Sequence, residues 1–166
     1  KKKRGQINWD KRIRSLKKIC DWGKKNTSSK YDCIVTVSGG KDGLRQAHIA
    51  RDELGMNPLL VSLVYPPQQL HERGAVNLSN LIDLGFDCIS LTLDPIKWKA
   101  LMKHGFFKFG NFFRSTEMAL YAAPVHVAIA YKIPLMLYGE NALFTVAHGT
   151  KNEGTGGSGQ RIQEGN

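Results

Sequence analysis

The strongest chemical signature in the chain is Ser38-Gly39-Gly40-Lys41-Asp42, which ends an apolar run from Cys33 to Val37 and precedes an amphipathic segment from Leu44 to Leu54. Adjacent glycines let the backbone reach positive φ and approach a ligand with no Cβ in the way. The first amides of a helix lack intrahelical partners and point at one spot, which suits an anion. Lys41 adds a mobile cation to that spot and Ser38 a hydroxyl donor. The chemistry assembled this way is phosphate binding. Spacing narrows it further. The pattern G-x-x-x-x-G-K-[ST] is absent because Lys41 is followed by Asp42, and G-x-G-x-x-G is absent because the two glycines are adjacent. A plain glycine turn carrying a solvated Lys-Asp pair is the alternative, but five such positions between a strand and a helix favour a nucleotide.

Such a turn needs elements to hold it. Cys33 to Val37 reads as a buried strand, and the helix after the turn runs to Leu54 and stops at Gly55. Leu59 to Tyr65 is a second strand, closed by Pro66-Pro67. Val76, Leu78, Leu81, Ile82 and Leu84 mark a helix ended at Gly85, and Cys88 to Leu93 is a third strand. Ile96 to His104 reads as a short helix, and Gly105 to Phe113 as an aromatic loop that either floors a pocket for a base or sugar or plugs a gap. Arg114 to Tyr131 is helical, with Ser115 or Thr116 as N-cap and a kink or restart at Pro124. Leu135 to Tyr138 is a fourth strand that runs into Gly139-Glu140-Asn141. Near-continuous apolar strands alternating with helices imply an α/β fold: a Rossmann-like parallel sheet with helices on both faces. Ligands of such sheets sit at the carboxyl ends of the strands, where the glycine turn falls.

Length and composition set the frame. The 166 residues, 42% hydrophobic and 23% charged, fit one globular domain with a sizeable core. Three divisions are expected: a basic N-terminal helix over 1–30 stopping near Gly23, a nucleotide-binding domain over 31–150, and a flexible Gly-rich tail over 151–166. The net charge of +10 is local. Residues 1–30 hold 12 of the 24 basic groups and 2 of the 14 acids, so the remaining 12 of each sign cancel. A nucleic-acid arm is one reading of that segment. The absence of an aromatic platform favours instead a solvated basic helix or one facing an acidic subunit. Cys20, Cys33 and Cys88 form no CxxC pair, and no apolar run approaches the roughly 20 residues a bilayer span needs. With no export pattern, a cytoplasmic protein without disulfides and without a membrane partner is expected. The histidines show no metal-ligand spacing.

The turn resembles the SGGxDS signature of the PP-loop ATP pyrophosphatases, with Gly43 where that superfamily usually has Ser. More of the chain is similar to the N-acetyl sugar amidotransferases of bacterial surface-polysaccharide and O-antigen pathways. The resemblance covers about residues 6–146. It rests on YDCIVTVSGGKD, LGMNPLLVSLVYPP, NLSNLIDLGFD, GFFKFGNFFRSTEMALYA and YKIPLMLYGEN. It implies an adenine nucleotide alpha hydrolase-like fold, ATP and Mg²⁺ as cofactors, and a nucleotide-activated N-acetyl sugar as substrate. A separate glutaminase subunit would supply ammonia. The implied reaction adenylates the acetamido oxygen, releases pyrophosphate, and exchanges AMP for ammonia to leave an acetamidino group. By the same resemblance Ser38, Gly39, Gly40 and Gly43 line the pyrophosphate and Lys41 neutralises it. Asp42 orients Mg²⁺ or caps its helix. Glu140 and Asn141, after Gly139, hold Mg²⁺, substrate or ammonia, or form a plain polar turn. Val37, Leu63 and Val64 border the adenine, and Thr116 and Glu117 touch the substrate or cap. Two other readings keep the turn: a tRNA-modifying PP-loop enzyme, disfavoured by the lack of paired cysteines, and a nucleotide-binding module that does not turn over.

Overall fold

Cys33, Ile34 and Val35 are fully buried in the first strand, β1 (Cys33–Thr36), because both faces of the sheet are covered. The computed structural model describes residues 8–66 and 70–139. After α1 (Trp9–Asn26) and β1 come α2 (Lys41–His48), which continues as a π-turn over Ile49–Glu53, then β2 (Pro58–Val64) and α3 (Glu72–Asp83). The chain goes on through β3 (Cys88–Thr92), α4 (Pro95–Phe109), α5 (Arg114–Tyr131) and β4 (Met136–Leu137). The four strands are parallel in the order β3-β2-β1-β4. The expected α/β architecture is the observed one. The chain steps from β1 to β2 and β3 on one side, then crosses back through α4 and α5 to lay β4 on the other side of β1, so the crevice between β1 and β4 is the topological switch point of the sheet.

Two apolar layers hold the sheet. On one face Val35, Val37 and Leu60 pack with Ala47 and Ala50 of the α2 segment, Leu81 of α3 and Cys20 of α1. On the other, Ile34, Leu59 and Val61 meet Val127 and Ala128 of α5, joined by Tyr31 and Ile133. Each fully buried Leu, Ile or Val contributes about 1.5–3 kcal/mol. Gly55 and Gly85 take positive φ, +59° and +82°, just past their helices, as the Leu-Gly pairs predict.

Three expectations are corrected. Gly23 does not stop α1. It is buried inside the helix, where a Cβ would lie 2.8 Å from Leu135 Cδ2 and 3.2 Å from the Asp32 carbonyl, so its bareness lets α1 dock. Gly105 likewise begins no loop. A Cβ there would lie 2.8 Å from the Asn111 carbonyl, and α4 continues to Phe109 before ending at Gly110, φ +67°. Residue 113, not Ser115 or Thr116, is the N-cap of α5, and the Thr116 hydroxyl instead donates to the Phe113 carbonyl at 2.8 Å. Pro124 sits buried within α5 without ending the helix. Only Cys20 and Gly23 of α1 are buried, so Trp9, Ile13, Ile19 and Trp22 remain about half exposed.

Candidate active site

The turn after β1 lies at the carboxyl end of the strand, at the mouth of the switch-point crevice. β1 ends when the Val37 N–H donates to the Val61 carbonyl at 3.0 Å. Gly39 then takes φ +80° and presses on α3, where a Cβ would fall 2.9 Å from Asn77 Cβ. No L side chain fits there without strain. Gly40 is the N-cap of α2 and, among the described residues, no side chain caps that helix, so its leading amides keep their donor capacity. Asp42 is therefore not the cap. Its carboxylate pairs with Lys41 Nζ at 2.8 Å, and both side chains are largely exposed. An exposed pair of this kind is worth only about 0–1 kcal/mol, so Lys41 can exchange Asp42 for an incoming anion at little cost.

The far wall of the crevice is Gly139. A Cβ on it would stand 3.5 Å from the Gly43 amide nitrogen and 3.6 Å from the Asp42 carbonyl carbon, so the exit of β4 lies against the first turn of α2. Gly43 in turn sits close over the end of β1, where a Cβ would be 3.2 Å from Val37 Cα. The glycines at 39, 43 and 139 thus bring three backbone segments together with few side chains between them. Gln46 secures this wall: its Nε2 donates to the Tyr138 carbonyl at 2.8 Å, while its Oε1 is buried without a hydrogen-bond partner. No sequence pattern marks Gln46 for this role. Asn77, which backs Gly39, is equally silent in the sequence.

β2 continues three residues past the Thr36–Val61 pair, so Leu63 and Val64 overhang the turn. The Val61 carbonyl faces β1. Strand alternation then aims the backbone of Leu63 the same way, over the space above Val37. Val37, Ser38, Gly39, Gly40, Lys41, Asp42, Gly43, Leu63, Val64 and Gly139 therefore gather at one rim. Glu140 and Asn141 lie outside the described residues. Thr116 is buried, with its hydroxyl committed to Phe113, and Glu117 is exposed on the first turn of α5. Neither has a described contact with the glycine turn.

The aromatic segment splits. Phe106, Phe107 and Phe112 line a groove of about 600 Å³, whereas Phe109 lies under the Arg114 guanidinium, 4.4 Å from it. Burial pushes the thiols of Cys20, Cys33 and Cys88 up, so all three are free thiols held protonated rather than nucleophiles. Among the described residues no three His, Cys, Asp or Glu side chains converge to hold a metal, and no helix is long and apolar enough to cross a membrane.

No protein-family model matches the sequence, and no curated protein matches it. Solved structures do. The fold is similar to that of an NH3-dependent NAD synthetase from Campylobacter jejuni subsp. jejuni, in complex with the nitrate ion. That likeness has TM-score 0.58 and 14% identity, over 87% of this chain and 62% of that one. It is also similar to NMN synthetase from Francisella tularensis, with TM-score 0.52 and 17% identity, over 82% and 56% of the two chains. The chain thus spans about three fifths of the length of these proteins. At such identities the likeness is one of fold, a Rossmann-like parallel sheet with helices on both faces.

Proposed function

We propose that the chain is the nucleotide-binding part of an ATP-dependent ligase that adenylates the acetamido oxygen of a nucleotide-activated N-acetyl sugar and replaces AMP with ammonia. The observation that carries the reading is the uncapped start of α2 behind Gly39-Gly40 at the switch point, with Lys41 free to swing. The ammonia dependence in the name of the NAD synthetase of similar fold supports the second half of the reaction. The glutaminase that would deliver ammonia and the cytoplasmic setting belong to the same proposal.

An amide oxygen is a poor leaving group until it carries a phosphoryl group. The acetamido oxygen attacks the α-phosphorus of ATP, and the bond to the bridging oxygen breaks, so pyrophosphate departs with that electron pair. Ammonia adds to the activated carbon and loses a proton, and AMP leaves with the former amide oxygen. The chain's share is positioning and charge neutralisation. The amides of Gly39, Gly40 and the first turn of α2 hold the departing pyrophosphate, Ser38 adds its hydroxyl, and Lys41 follows the charge that develops. Leu63, Val64 and Val37 offer backbone groups to the adenine. Mg²⁺ held mainly by substrate phosphates needs only one or two protein carboxylates, which Asp42, with Glu140, can supply, and it would neutralise phosphate charge there. Gly43 removes a side chain where α2 closes over β1.

The test is pyrophosphate release from ATP in the presence of ammonium and candidate nucleotide-linked N-acetyl sugars. Release that depends on both sugar and ammonium is expected. ATP binding with no release under any sugar would leave a nucleotide-binding module. A second reading, tRNA modification, draws on the seven Lys and Arg of exposed α1. Tight, salt-dependent tRNA binding lost on removing α1 would favour it.

A further inference from the structure

We propose that the groove on α4 seats the nucleoside diphosphate of the activated sugar, an inference that rests on the function just proposed. Pro66 follows the end of β2 and Pro95 the end of β3, so the groove opens at the same carboxyl rim as the glycine turn. Its floor is Trp98, 1% exposed and edge-on to Tyr65 at 5.1 Å. Phe106 and Phe107, set at 79° to one another, line the groove together with Phe112. Lys99 and Lys103 stand one helical turn apart on the lining, and no carboxylate lines it. The volume, about 600 Å³, lies within the roughly 300–1,000 Å³ of small-molecule sites. A purely apolar ligand would not use the two ammonium groups, and inorganic phosphate would not use the rings. A flat base joined to a diphosphate uses both: the base stacks on the aromatic wall and the diphosphate meets Lys99 and Lys103. ATP would then lie along the rim from the glycine turn to Leu63 and Val64 above β1 and β2, and the sugar nucleotide in the groove beyond β2 and β3, with its acetamido group reaching back to the α-phosphate.

The test is calorimetric titration of the full chain with UDP, and separately with uridine and with ATP. UDP is expected to bind more tightly than uridine. Its affinity should fall about tenfold in Phe107→Ala, from lost stacking, and by at least as much in a Lys99→Ala/Lys103→Ala double variant. Phe107 is 76% exposed, so its loss leaves the fold intact. Lys41→Ala should leave UDP affinity unchanged, and the groove variants should leave ATP affinity unchanged. No UDP binding, UDP no tighter than uridine, or UDP affinity sensitive to Lys41 but not to the groove would overturn the proposal. Failure of wild-type protein to bind ATP would instead sink the reading of the glycine turn, so the two failures are distinguishable.

Discussion

The turns β1–α2 and β3–α4 occupy equivalent places in the sheet and are built in opposite ways. At the start of α4, Asp94 Oδ1 accepts from the Ile96 N–H at 2.8 Å and Pro95 brings no N–H to satisfy, so that helix closes on itself. At the start of α2, Gly40 offers no side-chain cap, and among the described residues the two charged side chains pair with each other. A glycine at the N-cap in place of a capping side chain gives up only about a few tenths of a kcal/mol. Leaving the helix start open at the switch point keeps its amides available to an anion, which separates a binding turn from a merely structural one.

The sharpest break of this comparison is Lys41→Ala. It should lower turnover about 10²- to 10³-fold while leaving the urea midpoint within experimental error, because the Lys41 side chain is exposed and its ion pair with Asp42 lies at the surface. Gly39→Ala comes next. A side chain at φ +80° and 2.9 Å from Asn77 Cβ should cost about 2–4 kcal/mol in urea denaturation and abolish ATP binding. Asp94→Ala should cost about 1 kcal/mol and leave ATP affinity untouched, since the cap it removes serves only α4.

The smallest effect lies at the other end of the α2 segment. The Arg51 hydrogen bond, and after it that of His48, holds the Asp52 carboxyl down to about 2, below its ordinary 3.8. A depressed carboxylate stabilises the fold above its unfolded value, and that contribution is lost as pH falls from about 4 toward 2. Asp52→Asn should flatten this part of the acid-unfolding profile without changing nucleotide binding, as followed by circular dichroism.

What the sequence discloses and what it hides divide along physical lines. Strand and helix cores were legible because apolar runs such as Cys33–Val37 and Leu59–Val64 have no other stable use than burial, and Leu-Gly pairs at Gly55 and Gly85 punctuate them. The glycine turn was legible because its residue types converge on one chemistry. Gly23 and Gly105 were not, because a glycine that ends a helix and one that lets two elements touch look the same until Leu135 and Asn111 arrive from elsewhere in the chain. Gln46 was hidden for the same reason: its partner, the Tyr138 carbonyl, lies 92 residues away. The buried Thr116 hydroxyl shows the converse, a polar side chain read as reaching out whose bond goes back to its own helix start.

The most direct test is amide NMR of the full chain titrated with ATP and Mg²⁺. The account predicts the largest shifts at Gly39, Gly40, Lys41 and Gly43, with Gly139 following and the amides of Ile96 and Lys97 unmoved. Shifts centred on the α4 start, or none at the glycine turn at saturating nucleotide, would contradict it.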